Sequence, residues 1–470
     1  MGNGHLQYCP HALHRLPPMS VEIAQHFLSQ HPAVSEIDLI LVDTSGVLRG
    51  KRVRAATLET VFREGIRLPC STFSMDINGN IVYDTGFILE SGEADFNCLP
   101  VAHTLTPVPW SDSTAQVLIS MVEADGSPFF ADPRGVLERV LNRLQAKGLT
   151  PCVAVELEFY LLDRAMGDNG PQPAKSQLTG RRSSQTGVYA ISELEDFAPV
   201  LRAITDACAQ QGIATHTLVA ESSPGHYEIN LAHQSDVLAA ADHAVMFKRV
   251  VKSLAIAHGL DATFMAKPLT GRSGSGLHVH VSLLNEAGNN VFQAADDAPA
   301  GSERLGWAIA GLCEAMPESM AIFAPNSNSF RRYREGAFVP VAPCWGVNNR
   351  TTALRIPLGD PGATRFEHRV PGADANIYLT LAAILAGLDY GLEQRLKPPT
   401  LTQGNAYDQY PSSLPRTWRE ALTRFDQGTI LKDYFGKDYC HVYSRCKWAE
   451  QAQMAGIVSP TEHEWYLYGV

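Results

Sequence analysis

Glu156 and Glu158, Glu221 and Glu228, His278 and Glu367 stand on short segments whose other residues are apolar. Carboxylate and imidazole in that setting are the groups that hold hard divalent cations. Side chains of a strand alternate between its faces, so in Val155–Leu161 both carboxylates leave one face while Val155, Leu157, Phe159 and Leu161 leave the other. The same alternation recurs in His226-Tyr227-Glu228-Ile229-Asn230, in Leu277-His278-Val279-His280-Val281-Ser282 and in Arg365-Phe366-Glu367-His368-Arg369. These segments predict one antiparallel sheet curled around a charged cavity. Carboxylates crowded there raise one another's pKa unless cations or arginines hold them ionised. Oxygen-rich ligation with a single imidazole suits Mg²⁺ or Mn²⁺ better than zinc. A lone Glu on a strand face is ordinarily just solvated; the joint pattern, with arginines on the same strands, carries the reading.

Seven arginines and no lysine fall between Arg331 and Arg369: Arg331, Arg332, Arg334, Arg350, Arg355, Arg365 and Arg369. A guanidinium fork grips carboxylate or phosphate bidentately and an ammonium cannot, so this choice points to Arg332, Arg350, Arg355 and Arg369 as anion ligands. Gly271-Arg272-Ser273-Gly274-Ser275-Gly276 lacks the Gly-Lys-Ser/Thr of a P-loop and reads as backbone that approaches a ligand closely, with Gly274 offering main-chain groups. Divalent cations and arginines without a Walker motif describe phosphoryl transfer by electrostatic clamping.

The elements that must carry these groups follow from the rest of the chain. Its 470 residues, 45% apolar and 19% charged, fit a folded protein of two domains. A net charge of −11 without a basic run argues against nucleic-acid or membrane-surface binding. Nine scattered cysteines without a Cys-x-x-Cys pair read as reduced thiols of a cytoplasmic protein. Met1 to Pro18 has no apolar stretch after a basic start, so no signal peptide is expected, and Ile377 to Leu388 is too short to span a bilayer.

Ser20 is a candidate cap for a short helix through Phe27, and Ile37–Asp43 and Val47–Val53 read as a hairpin around Thr44-Ser45-Gly46. Short strands then run to about Glu123. Asp132 before Pro133 is an N-cap with proline at the first helical position, and Val136, Leu137, Val140, Leu141 and Leu144 form one apolar stripe ending at Gly148. Domain limits of 1–32 (leader and helix), 33–128 (a small β-rich domain) and 129–470 follow. Helices over roughly 197–211, 236–258, 303–316 and 374–395 alternate with the polar-faced strands, which is an α+β pattern. Residues 165–185 and 285–301 read as loops.

In order along the chain stand Glu156-x-Glu158, Glu221-x-x-Pro-Gly-x-x-Glu228, Lys267-Pro268 leading to Gly-Ser-Gly-Leu-His278-Val-His280, Asn328-Ser329-Phe330-Arg331-Arg332, Asn349-Arg350 to Arg355-Ile356-Pro357, and Arg365-Phe366-Glu367-His368-Arg369. From about Ile37 onward the chain resembles the glutamine synthetase superfamily. The resemblance implies a small β-grasp-like N-terminal domain, a large catalytic domain with a curved antiparallel sheet, ATP as co-substrate and two or three Mg²⁺ or Mn²⁺ ions. It implies that Glu158, Glu221 and Glu228 hold the metal beside the amino acid, and that Glu156, His278 and Glu367 hold the one bridging the ATP phosphates. It gives Arg332 the glutamate α-carboxylate, Arg350 and Arg355 the phosphates, Arg369 the γ-carboxylate, and His280, Ser282 and Arg365 the nucleotide side. Asp43 matches an acid that a neighbouring subunit presents to the amine, within stacked rings that are commonly dodecamers.

Glutamine synthetases carry a glutamate on the loop after the Asn-Ser-aromatic-basic-Arg motif, where it helps to form the ammonium pocket; Phe338 stands at that place here. Ser273 likewise replaces the usual asparagine of the glycine loop. A carboxylate favours NH₄⁺, whereas an aromatic ring packs against an organic group. The sequence thus resembles the γ-glutamylpolyamine synthetases and related glutamate-amine ligases, which implies a primary amine as acceptor, with ammonia, alkylamines or anilines, or a non-catalytic structural homologue, as alternatives.

Overall fold

The computed structural model describes residues 18–167, 170–185, 187–295 and 298–470. The leader read from the sequence lies, up to residue 17, outside them. The first helix spans Pro18–Gln30, beginning before Ser20 and running past Phe27, because Ala24 and Phe27 continue an apolar face that is buried.

Strands β1 (Glu36–Val42), β2 (Leu48–Arg54), β3 (Ile66–Pro69), β4 (Asp95–Pro100), β5 (Thr106–Pro107) and β6 (Thr114–Val122) form a six-stranded sheet in the order β2-β1-β6-β4-β3, with β5 also on β6. β1 and β2 are the expected hairpin, and β1 lies parallel to β6. Strands β7 (Leu149–Asp163), β8 (Thr215–Ala220), β9 (His226–Leu231), β10 (Leu260–Thr263), β11 (Leu277–Asn285), β12 (Trp345–Val347), β13 (Leu354–Ile356) and β14 (Phe366–His368) form an eight-stranded sheet in the order β12-β13-β14-β11-β7-β9-β8, with β10 also on β7. The sheet is antiparallel as expected except at β12, which pairs parallel to β13. Its far face is the core. Val153, Val155, Leu157, Phe159 and Leu161 are all buried, and each such side chain stabilises the fold by about 1.5–3 kcal/mol.

Asp132 caps the helix Pro133–Gln145 by accepting from the Arg134 amide at 2.9 Å, and its second oxygen accepts from Ser120 and the Met121 amide on β6. The cap is therefore also a tie to the first sheet. The helix from Glu303 extends to Phe323, beyond the expected end at Met316, with Pro317 inside it. Proline removes one helical hydrogen bond, but Met320, Ala321, Ile322 and Phe323 are buried and their packing carries the helix on. The helices Ala198–Gln210, Val237–Ala257 and Ile377–Gln394 lie where the periodicity placed them.

One long-range joint ties the β1–β2 turn and Ile77 to a helix late in the chain. Glu450, on the helix Lys437–Ala455, accepts from the Ile77 amide at 2.9 Å, and Lys447 donates to Ser45 Oγ at 2.8 Å while pairing with Glu450 at 3.0 Å. Both side chains are almost fully buried.

Candidate active site

The large sheet lays the polar groups out as rungs. Glu156 on β7 lies opposite Asn230 on β9 and His278 on β11; Glu158 lies opposite Glu228; His280 lies opposite Glu367 on β14, which lies opposite Arg355 on β13. Directly opposed side chains start roughly 5 Å apart, so the ladder itself sets the spacing of the acids. Two clusters result, Glu156–Glu228–His278 and Glu156–His280–Glu367, each with its potential ligand atoms within 4.8 Å of one another. Glu156 is common to both.

The two clusters differ from the partition implied by sequence. Glu158 and Glu221 join neither: Glu158 Oε2 accepts from the Gly276 amide at 2.8 Å and lies 3.3 Å from His226 Nε2, and Glu221 follows the end of β8. His280 joins Glu156 and Glu367 in the second cluster. Arg365 Nε donates to His280 Nδ1 at 3.2 Å, which puts the imidazole proton on Nε2, 2.9 Å from Glu156 Oε1. His280 thereby orients Glu156 as a donor.

Charge in the cluster is unevenly shared. Burial works against ionising Glu156, but hydrogen bonds from His278 and His280 hold it well below the usual carboxylate range. Burial likewise opposes Glu367 and Glu158, yet Arg369 with both histidines holds the first at about 2, and His226 with His278 and Arg332 holds the second at about 2. Glu228 goes the other way: burial first, then Glu156, Glu158, Glu221 and Glu367, push it up to about 10. Burial and Glu158 also raise Glu221. A set in which one carboxylate must stay protonated for want of positive charge is suited to divalent cations.

The arginines complete the site. Arg355 Nη1 pairs with Glu367 Oε2 at 2.7 Å, and Arg369 pairs with Glu367 Oε1. Among the described residues the Nε of each is buried without a hydrogen-bond partner, a donor arrangement suited to phosphoryl or carboxylate oxygens. Arg332 is buried and donates to the Val370 carbonyl at 2.8 Å. Arg350 is exposed on the turn after β12, and Ser282 faces Cys152 one rung beyond His280. Gly274 and Gly276 are glycines for a visible reason. A Cβ at Gly274 would stand 2.6 Å from the Ala266 carbonyl, and one at Gly276 would stand 2.8 Å from Arg332 Nη2. Phe338 is 63% exposed at the tip of the loop after Arg332, with φ +54°.

Asp43 corrects the sequence expectation. Its carboxylate is 0% exposed in the single chain, accepting from the Ser45 and Val47 amides at 2.9 and 2.8 Å and from Arg49 at 2.9 Å. A group buried within one chain is no more accessible in an assembly, so in this conformation Asp43 cannot meet an amine held by a neighbour. It closes the β1–β2 turn. Conversely, His226 lacked an assigned role: it is buried, stacks on Tyr160 with ring centroids 4.2 Å apart, and steers Glu158. Its position two residues before Glu228, on the same strand face, was the available signal.

The catalytic-domain pattern described as "Glutamine synthetase, catalytic domain" matches residues 130–466. The chain belongs to the glutamine synthetase family. Among curated relatives, γ-glutamylputrescine synthetase PuuA of Escherichia coli (strain K12) is 43% identical over 447 residues, covering 94% of each chain. Glutamate–isopropylamine ligase of a Pseudomonas species is 33% identical, covering 94% of this chain and 96% of the relative. The solved structure of GmaS with ADP superposes with a TM-score of 0.82 at 26% identity, covering 95% of this chain and 99% of that one. The α+β architecture of this family is thus shared over nearly the whole length.

Proposed function

We infer that the protein is an ATP-dependent ligase joining the γ-carboxyl of L-glutamate to a primary amine. A γ-carboxylate oxygen attacks the terminal phosphorus of ATP and ADP leaves; the amine nitrogen then attacks the acyl carbon of γ-glutamyl phosphate, phosphate leaves, and the nitrogen sheds a proton. Arg332 anchors the α-carboxylate beside the Gly274 backbone, and Arg369, held by Glu367, faces the γ-carboxyl. Arg350 and Arg355 take phosphate oxygens, with His280, Ser282 and Arg365 toward the nucleotide. Glu156, Glu158, Glu221, Glu228, His278 and Glu367 would hold Mg²⁺ or Mn²⁺. Such ions, when bound, neutralise the carboxylates and draw charge from the phosphates. Excluding water protects the acyl phosphate from hydrolysis.

The observation that carries an organic amine over ammonia is Phe338, an exposed ring on the loop that follows Arg332 in the chain, together with the likeness to γ-glutamylputrescine synthetase. Domain limits near 128/129, a ring assembly with sites between subunits, and a cytoplasmic location belong to the same proposal. Among the described residues no helix is long and apolar enough to cross a membrane. The test is glutamate- and Mg²⁺-dependent ADP release with ammonia, methylamine, ethanolamine, putrescine, spermidine, benzylamine and aniline, with mass spectrometry of the products. One amine class far ahead of ammonia is expected. Ammonia as the best acceptor would overturn the role given to Phe338, and no turnover with any acceptor would overturn the ligase reading.

A further inference from the structure

The turn that leads into the short helix Ala406–Gln409 joins two arms of the site. Asn349 Nδ2 donates to the Gly404 carbonyl at 2.7 Å, and the Ala406 amide donates to Thr351 Oγ1 at 3.0 Å, so the turn is fastened to both sides of Arg350. From the same turn the Tyr407 hydroxyl donates to the Val339 carbonyl at 3.0 Å. Residues 334–338 are exposed and Val339 is the first buried residue after them, so this bond fastens the foot of the Phe338 tip. Farther along, Val341 is held by the Ser413 and Leu414 amides. Tyr407 itself is half-buried.

We propose that Tyr407 is a positioning residue for the acceptor step: its hydroxyl holds the Phe338 loop in register with the arginines that bind glutamate and phosphate. The proposal rests on the ligase reading. With the loop unlatched, amine binds less well and water reaches the acyl phosphate. Water oxygen then attacks the acyl carbon, the bond from that carbon to the phosphate oxygen breaks, and glutamate and phosphate are released with the proton passing to solvent. A hydroxyl that merely tied down a surface loop would leave this partition untouched.

Tyr407→Phe removes the hydroxyl and keeps the ring. Losing one hydrogen bond of ordinary strength corresponds to roughly a threefold to tenfold effect. The expected result is a rise of that size in the amine KM, with ADP release exceeding amide formation and with unchanged KM for ATP and glutamate. Hydrogen exchange over residues 334–341 should quicken several-fold. Unchanged coupling and amine KM would overturn the proposal, as would a parallel rise in all three KM values. The exchange readout needs no turnover: slow exchange in the variant refutes the latch even if the wild-type protein ligates none of the amines, a result that would separately refute the ligase reading.

Discussion

Adding one methyl group at Gly276 tests whether the groups converging there act together. Gly276 donates its amide to Glu158 Oε2 at 2.8 Å and its carbonyl accepts from the Glu158 amide at 3.1 Å, so its Cα cannot retreat without loosening Glu158. A Cβ would lie 2.8 Å from Arg332 Nη2, 3.1 Å from His278 Nε2 and 3.2 Å from Glu158 Oε1. Comfortable contact is about 3.5 Å, so the guanidinium must move by roughly 0.7 Å and the other two by about half of that. Overpacking of this kind costs about 1–3 kcal/mol, at the low end here because the nearest atom is a side-chain end. Displacements approaching 1 Å at a reacting centre cost up to about 10²-fold in rate, so Gly276→Ala should lower kcat/KM for glutamate by roughly 10- to 100-fold and weaken Mn²⁺ binding. Gly288→Ala is the control: its φ is +77° and a Cβ there meets nothing within 4 Å. Left-handed backbone costs it about 1 kcal/mol of stability without touching the site. Both variants are measured by thermal unfolding, calorimetry with Mn²⁺ and ADP release. Should Gly276→Ala behave like Gly288→Ala, with kcat/KM within twofold of wild type, the convergence of Arg332, His278 and Glu158 on this point has no functional weight.

Glu228→Gln replaces a carboxyl that is already protonated in the metal-free protein, so the EDTA-treated variant should unfold within a few degrees of wild type while Mn²⁺ affinity falls at least about tenfold. Because Glu228 rises from an ordinary 4.5 to about 10, the folded metal-free protein holds a proton that the unfolded chain releases above 4.5. Stability without metal therefore falls with pH across that window, at up to about 1.4 kcal/mol per unit from this group; Glu228→Gln should flatten the slope in a pH series of unfolding curves, and an unchanged slope would count against the shift. Phe338→Glu should raise kcat/KM for ammonia relative to the preferred amine in competition assays; no relative gain would remove the acceptor role of the ring. Asp43→Asn should cost about 2 kcal/mol of stability by leaving Arg49 poorly paired, with kcat per folded molecule changed less than about threefold, whereas a hundredfold loss of kcat would restore Asp43 to the chemistry.

The strand faces were legible because period-two alternation in Glu156–Leu161, His226–Asn230 and Leu277–Ser282 leaves only one way to bury Val, Leu and Phe together. Which residues oppose each other was not, since register is a relation between distant segments. That is why the two clusters cut across the expected partition. The parallel pairing of β12 with β13 is hidden for the same reason. Asp43 misled because an acid at a turn has the same sequence signature whether it faces a substrate or bonds its own turn amides. The bond from Tyr407 to Val339 has no sequence signature, because its acceptor is a backbone carbonyl, which carries no residue type.

The joint between the β1–β2 turn and the helix Lys437–Ala455 has a consequence for the order in which the molecule can be made. Ser45 and Glu450 are 405 residues apart in the chain. At about 5–20 residues per second a ribosome takes roughly 20–80 s to traverse that distance. For all of that time the hairpin that emerges early lacks Lys447 and Glu450. Until translation delivers that segment, the Ser45 hydroxyl of the turn and the Ile77 amide farther along lack the partners that close the joint.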